Sequence, residues 1–485
     1  MPKFSIILLF VTALSIIPTI ASAQSSEQPN VLFISIDDLN DWVGPLDGHP
    51  QAQTPNLDRL AAQGMLFTNA HAPGVICNTS RTALMTGISA ASAGVYGNQT
   101  DWRLTKTLAD APTIPRYFKD NGYRTFGAGK MFHSSTYNLW AYHGYNDTTA
   151  WHDYFPALDR QLPNEITPHD RPQNGTPLSV NFDWGSIYAT DEAMGDGQVV
   201  TWSIEQILFD DDSPRFNAVG IYRPHLPWYL PQKWFDMFPL DEIELPPVIE
   251  NDLDDIPEAA YAGTDRGAMG PMALHNWVLE DETKQRWREG VRAYLASTTY
   301  ADAQLGRLLD ALEESGRYDD TIIVLWSDHG FHLGEKARWR KTALWREDTR
   351  VPLIIVAPGV TEPGTRTDSV VSLLDLYPTL VELAGLETPD HPEGVSLVPL
   401  LDDPDAEWDH AAVTTVAFRS HSVSTDQYRY IRYSDGSEEL YDIDADPHEW
   451  RNLAADPAYA AIKEDAAEWL PAHDEPVDPA ARRTE

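Results

Sequence analysis

Cys77 is the only cysteine among 485 residues, so it closes no internal disulfide. It opens the run Cys77-Asn78-Thr79-Ser80-Arg81-Thr82-Ala83-Leu84-Met85-Thr86-Gly87. A lone thiol ordinarily serves as a small buried hydrophobe. Here a helix-like stretch, Arg81 to Met85, follows directly and stops at Gly87, which places Cys77 at a helix N-terminus, where backbone N–H groups and the dipole favour anions. A nucleophile type beside an anion-attracting helix end is an enzyme-like combination. Asp37 and Asp38 are adjacent carboxylates, and oxygen donors suit a hard divalent cation such as Ca²⁺ or Mg²⁺; the same pair also reads as a turn or a helix cap. Asp328-His329 offers further ligand types.

The elements that must carry these residues are apolar, β-branched runs. Asn30–Ile36 leads into Asp37-Asp38, and Tyr123–Ala128 leads into Gly129-Lys130-Met131-Phe132-His133. Phe216–Tyr222 leads into Arg223-Pro224-His225-Leu226-Pro227, and Thr321–Ser327 into Asp328-His329-Gly330. A fifth run, Val351–Ala357, follows Lys341. Helical patterns alternate with the runs, as in Leu57–Gly64, which follows a helix-start signal at Thr54-Pro55. The pattern predicts an α/β fold with a large, mostly parallel sheet buried on both faces by helices. In such sheets ligands bind beyond the carboxyl ends of the strands. Four strands each deliver carboxylate, lysine or histidine there. The stretch 134–214 lacks strong periodicity and predicts long loops over the sheet edge, where specificity would be set; Trp140, Trp151 and Trp184 within it, and Trp102 and Trp228 outside it, are aromatic candidates for stacking on a ligand face. After about residue 400 the pattern becomes short alternating strands at 411–418, 427–433 and 439–443, with a turn at 434–437. These predict a smaller antiparallel-sheet subdomain and a helix-prone acidic tail.

Composition narrows the function classes. The formal charge is −39, with acidic residues spread along the chain. No basic stretch can neutralise phosphates, so nucleic acid is excluded as a partner. An acidic surface suits salty water and suggests a marine or saline source. Lys3, the apolar stretch 4–20 and Ala21-Ser22-Ala23 predict a secretory signal over 1–23; an uncleaved anchor is the rival. The expectation is an exported protein, periplasmic or secreted, with no stable membrane insertion after cleavage. Its domains are read as 24–404, catalytic, and 405–485, the antiparallel-sheet subdomain.

Taken together these segments resemble the type I, formylglycine-dependent sulfatases of the alkaline phosphatase superfamily. The family motif Cys-x-Pro/Ala-Ser-Arg-x-x-x-x-Thr-Gly matches Cys77 to Gly87 except at Thr79, and the Asp-Asp, Gly-Lys-x-x-His, Pro-His-x-Pro and Ser-Asp-His-Gly segments follow in the family's order. Gly129–His133 and Arg223–Pro227 are most similar to the iduronate-2-sulfatase-like branch, and Leu440-Tyr441-Asp442-Ile443 to the family's C-terminal subdomain. The resemblance implies that Cys77 is oxidised to formylglycine (3-oxoalanine) by a formylglycine-generating or anaerobic sulfatase-maturating enzyme, and that its hydrate attacks sulfur. It implies Ca²⁺ ligation by Asp37, Asp38, Asp328, His329 and the modified Cys77. Arg81 would hold the hydrate, Lys130 and Lys341 would clamp sulfate, His133 would take a proton as the aldehyde re-forms, and His225 would protonate the leaving oxygen. Outside such a pattern Lys130 and Lys341 read as surface lysines and His225 as a packed loop histidine; His332 reads as structural.

The implied activity is hydrolysis of sulfate esters on a sulfated carbohydrate. The saline composition points to an algal polysaccharide such as ulvan or carrageenan, the branch resemblance to 2-O-sulfated uronates of glycosaminoglycan type. Two other readings stay open: a phosphomonoester or phosphonate monoester hydrolase, and a non-catalytic polyanion binder should Thr79 leave Cys77 unmodified.

Overall fold

The run Asn30–Ile36 (β1) forms a central strand because six of its seven residues are buried on both faces, which continuous apolar character permits and alternation would not. The computed structural model describes residues 28–134, 144–211, 213–262 and 270–483; the expected signal segment 1–23 and Trp140 lie outside them. Among the described residues the main sheet adds Met65–Phe67 (β2), Arg124–Gly129 (β3), Asp153–Phe155 (β4), Arg215–Ile221 (β5), Thr321–Ser327 (β6), Leu353–Val356 (β7) and Thr365–Thr367 (β8). The spatial order is β8-β2-β7-β6-β1-β5-β3-β4. β1 pairs in parallel with both β5 and β6, and β3 with both β5 and β4. The four strands expected to deliver polar residues are therefore neighbours pointing the same way, and their carboxyl ends line one edge. β7 departs from the expected alternation, running antiparallel to both β6 and β2.

Residue alternation sorts the core. Val31 and Phe33 face one layer with Leu84 and Met85, while Leu32, Ile34 and Ile36 face the other with Leu57, Leu60, Leu305 and Leu308. Each such side chain contributes about 1.5–3 kcal/mol by leaving water. The layers are built by helices Pro55–Ala61 (α1), Cys77–Thr86 (α2), Gly195–Leu208 (α3) and the 30-residue Gln285–Glu314 (α4). α3 corrects the expectation of loops throughout 134–214. Its opening Gly195-Asp196-Gly197 and its Val199-Val200-Thr201 run carry weak helix propensity, yet Val199, Val200 and Ile207 pack onto the sheet and fix it.

Beyond residue 411 four antiparallel strands follow: Ala412–Ala417 (β9), Ser420–Ser424 (β10), Tyr428–Arg432 (β11) and Glu438–Asp442 (β12). β10 was absent from the expected set because Ser420-His421-Ser422-Val423-Ser424 has too little apolar character to signal a strand, although all five are buried. The acidic tail holds the helix Ala460–Ala467. Val416, Ile431, Tyr433 and Tyr441 share a buried cluster with Leu344 and Trp345, which joins this sheet to the segment that follows Lys341.

Candidate active site

Cys77 is the first residue of α2, 1% exposed, and the helix closes at Gly87 in the left-handed conformation (φ 71°) that glycine adopts without strain. One turn on, Arg81 is fully buried and acts as the hub of the site. Its Nε donates to Asp328 Oδ2 at 2.8 Å, its Nη2 to Asp37 Oδ1 at 3.1 Å and its Nη1 to Ser35 Oγ at 3.0 Å. Nη1 also donates to the carbonyl of Lys130. A single guanidinium thus ties the ends of β1, β3 and β6 to α2, a use of its planar fork that lysine could not reproduce.

Asp37 and Asp38 continue β1. Asp37 N donates to Ile221 O of β5 at 3.1 Å, and Asp38 N to Asp328 Oδ1 at 3.1 Å. Asp38 has left-handed backbone (φ 62°). Tyr294 of α4 holds that turn, donating its hydroxyl to Asp38 O at 2.8 Å and accepting from Asn40 N at 2.9 Å. Lys130 bonds to Asp37 Oδ2 and sits 3.6 Å from Cys77 Sγ; Lys341 bonds to Asp38 Oδ1 and sits 3.3 Å from the sulfur. His329 Nε2 lies 3.4 Å from the same sulfur, 3.6 Å from Asp38 Oδ1 and 3.5 Å from Asp328 Oδ2. The other nitrogen, Nδ1, faces Gly330 O at 3.1 Å, which aims Nε2 at the centre.

His133 hydrogen-bonds the thiol from the β3 side. His225 follows β5 and keeps its side chain 20% exposed, with Nδ1 on Leu226 O at 2.7 Å and Nε2 3.9 Å from Asp38 Oδ2. The nine other residues that the resemblance assigns are therefore gathered about Cys77, with His225 at the margin beside Asp38.

The electrostatics reflect crowding. Burial opposes ionising the Cys77 thiol, but Lys130, Lys341 and His329 outweigh it and hold the thiol well below its ordinary value. Burial likewise opposes charge on His329, yet Asp328 raises it to about 9. For Lys341 the charge of Asp38 overcomes burial and shifts it upward. Burial lowers His133 and His225, with Cys77 and Asp38 respectively opposing the shift.

The donor set fits a hard cation. Asp37, Asp38 and Asp328 are buried oxygen donors, and Asp38 Oδ2 is sequestered with no hydrogen-bond donor. Ligand atoms of Asp38, Cys77 and His329 lie within 4.8 Å of one another, as do those of Asp37, Cys77 and Asp328. A buried carboxylate oxygen without a donor is expensive unless a cation meets it.

Four of the expected sugar-stacking tryptophans are not available. Trp102, Trp151, Trp184 and Trp228 are at most 6% exposed. Trp184 stacks on Trp228 and on Trp339, while Trp102 stacks on Phe132, so their faces are spent on packing. Positioning residues without a motif escaped the sequence reading. Asp196 of α3 accepts from Tyr222 N at 2.6 Å and Arg223 N at 3.2 Å, fixing the turn that carries His225. Asp348 bonds His332 Nδ1 at 2.7 Å and accepts from Ala343 N at 2.7 Å, fixing both segments that flank Lys341. His332 is fully buried and engaged by Asp348.

Comparison with known proteins agrees with this geometry. The family model described as "Sulfatase" matches residues 29–386, and "N-sulphoglucosamine sulphohydrolase, C-terminal" matches 334–475. A sulfatase of Formosa agariphila is 39% identical over 434 residues, spanning 88% of this chain and 83% of its own. Human iduronate 2-sulfatase is 31% identical over 404 residues, spanning 76% and 70%. A solved structure in complex with its substrate D-glucosamine-2-N,6-O-disulfate shares the fold with a TM-score of 0.70 at 22% identity, over 91% of this chain and 96% of that one. The chain belongs to the sulfatase family and is a sulfuric ester hydrolase.

Proposed function

We propose that this sulfatase removes sulfate from an acidic sulfated carbohydrate, using formylglycine made from Cys77 and a Ca²⁺ held by Asp37, Asp38, Asp328 and His329. The observation that carries the reading is the gathering of three buried carboxylates, Lys130, Lys341 and His329 around the Cys77 sulfur at the head of α2. Formylglycine supplies an oxygen nucleophile at position 77 that can later release sulfate, and the cation supplies positive charge where the ester's oxygens bind.

The chain's own groups do the rest. Lys130 and Lys341 are donors aimed at the reacting centre, so they orient the ester's peripheral oxygens and offset charge that grows on them. Arg81 keeps α2 in register with the strand ends. His133, already bonded to the side chain at 77, takes and returns a proton there. His225 stands on the open side; with Nδ1–H anchored on Leu226 O, its Nε2 carries a proton only in the imidazolium form, which the Asp38 carboxylate 3.9 Å away favours against burial, and that proton passes to the departing sugar oxygen and leaves the ring neutral.

A carbohydrate substrate is favoured by the relatives, one of which is an iduronate 2-sulfatase, and by an acidic surface suited to saline water, where ulvan combines sulfate with uronate. In the same reading the protein is exported, to the periplasm or beyond; no described helix is long and apolar enough to cross a membrane. Residues 24–404 form the catalytic unit and 405–485 the antiparallel unit, supported by the separate four-stranded sheet. The test is release of inorganic sulfate from ulvan oligosaccharides and from 2-O-sulfated uronate disaccharides, beside a matched phosphate monoester. Sulfate release with little phosphate release is expected; preference for the phosphate ester, or tight binding without release, contradicts the proposal.

A further inference from the structure

Lys336, Ala337, Arg340 and Thr342 all have left-handed backbone, with φ of 49°, 50°, 76° and 92°. Such conformations cost a non-glycine residue on the order of 1–3 kcal/mol each, and they persist only where the surroundings impose them. Here the surroundings are specific. Lys336 is bonded to Asp252 at 2.6 Å, the Trp339 ring is stacked on Trp184, and Arg340 pairs with His332 in a short antiparallel ladder. In a regular strand consecutive side chains project to opposite sides. The left-handed residue at 340 breaks that alternation. Lys341 reaches Asp38 and Cys77 directly, and Arg340 stays within electrostatic reach of the same two groups and of Tyr222.

Arg340 differs from the other cations of the site in one respect. Arg81, Lys130 and Lys341 are each bonded to a carboxylate. The Arg340 guanidinium makes no hydrogen bond or ion pair among the described residues, and it is partly exposed. In a chain with 74 acidic residues against 35 basic ones, a guanidinium beside an active centre has been left without a carboxylate. Partial desolvation strengthens whatever anion it meets, and its planar fork matches a carboxylate or a sulfate.

We propose that Arg340 binds a second anionic group of the substrate, a sugar carboxylate or a further sulfate, next to the ester that is cleaved. The proposal rests on the sulfatase reading and deepens it: Lys130 and Lys341 serve the scissile sulfate, and Arg340 selects sugars carrying another negative charge. It makes Arg340 a specificity-determining residue.

The test compares a 2-O-sulfated uronate disaccharide, its carboxyl-reduced counterpart and a disulfated neutral disaccharide. The wild type is set against Arg340→Asn, which tolerates left-handed backbone, and Arg340→Lys, which keeps charge without the fork. In the wild type, kcat/KM should favour one of the doubly anionic sugars over a singly charged counterpart by about 10- to 100-fold. R340N should bring that ratio close to 1, chiefly through KM, and R340K should restore part of it. Dependence on the carboxyl group identifies a uronate; dependence on the second sulfate identifies a sulfate. A ratio that is unchanged in R340N overturns the proposal. The same three sugars are titrated against Cys77→Ala with and without R340N. Should the wild type cleave no sulfate ester, the functional reading fails, while the affinity ratios still decide whether Arg340 holds the second anion.

Discussion

Arg81, Lys130 and Lys341 each neutralise a buried carboxylate, so their loss should be felt in stability as well as in rate. Lys341→Ala removes the cation bonded to Asp38 and leaves its two buried oxygens only the His329 and His225 rings, 3.6 and 3.9 Å away. Removing one partner of a buried pair destabilises by about 3–5 kcal/mol, and removing one electrostatic stabiliser lowers kcat on the order of 10²–10³-fold. Chemical denaturation and initial rates check both, and added Ca²⁺ should recover more stability in K341A than in the wild type. Equal stability of K341A and wild type would show that the ion pair is not held in solution. Thr79 is the second residue-scale test. It is fully buried, its methyl packs on Gly74, and its hydroxyl finds no partner. Thr79→Ala removes an unsatisfied hydroxyl, a gain of about 1–3 kcal/mol, against about 1 kcal/mol for the space left by a methyl. It also restores the residue type expected at that motif position. Conversion of Cys77 to the aldehyde, read by peptide mass, should rise while the thermal midpoint holds or increases. Unchanged conversion would mean that Thr79 is read as well as alanine. Cys77, Asp37, Asp38, Asp328 and His329 were suggestive by residue type and by their place at a helix start or strand end, whereas Arg81, Lys130, His133, His225 and Lys341 were legible only through the family resemblance, because a lone lysine or histidine carries no local signal of its role. Asp196, Asp348 and Tyr294 were not legible, because a single acid or tyrosine inside a helical or loop segment carries no local signal of the distant backbone it holds.

At the scale of elements, the order of the strands was the informative part. β1 and β6 are dense apolar runs, β5 a mixed one and β3 a weak, glycine-containing one; each ends in polar residues, and the parallel registers put those ends side by side. α3 and β10 were hidden because their own composition argues against them; contacts with the sheet and with neighbouring strands decide their conformation. The tryptophans were misread for the reverse reason, since an aromatic residue in an aperiodic stretch looks like a binding loop until its packing partners are known. One buried element should leave a pH signature. His275, in the helix Pro271–Leu279, packs edge-on to Trp287 at 5.6 Å, and burial lowers its pKa to about 4. The unfolded chain takes up that proton near pH 6.5, so between about 4 and 6.5 the unfolded state binds more protons. Stability should therefore rise with pH across this window, with His275 contributing about 3 kcal/mol of the total change. Denaturation midpoints of His275→Phe measured across the window should show a shallower slope. An identical slope would mean that His275 is solvated in the native protein.

For the molecule as a whole, the charge of −39 sets the terms. Like charges spread over one surface repel in the folded state, and salt shortens their reach from about 30 Å at 0.01 M to about 10 Å at 0.1 M. The thermal midpoint should rise from low salt to seawater-like salt, with most of the gain at the dilute end; a midpoint that falls with added salt would show that specific surface ion pairs outweigh the repulsion. Arg81, Lys130 and Lys341, held at one sheet edge by Asp37, Asp38 and Asp328, set a local positive charge against the field of the surrounding surface. On the proposed function, sulfate hydrolysis depends on the oxidised form of Cys77. Inorganic sulfate release from a 2-O-sulfated uronate disaccharide is measured over preparations expressed with graded amounts of a formylglycine-generating enzyme, each with its Cys77 peptide weighed. The rate should be proportional to the converted fraction and vanish at zero conversion and in Cys77→Ala. A rate that does not follow conversion would contradict it.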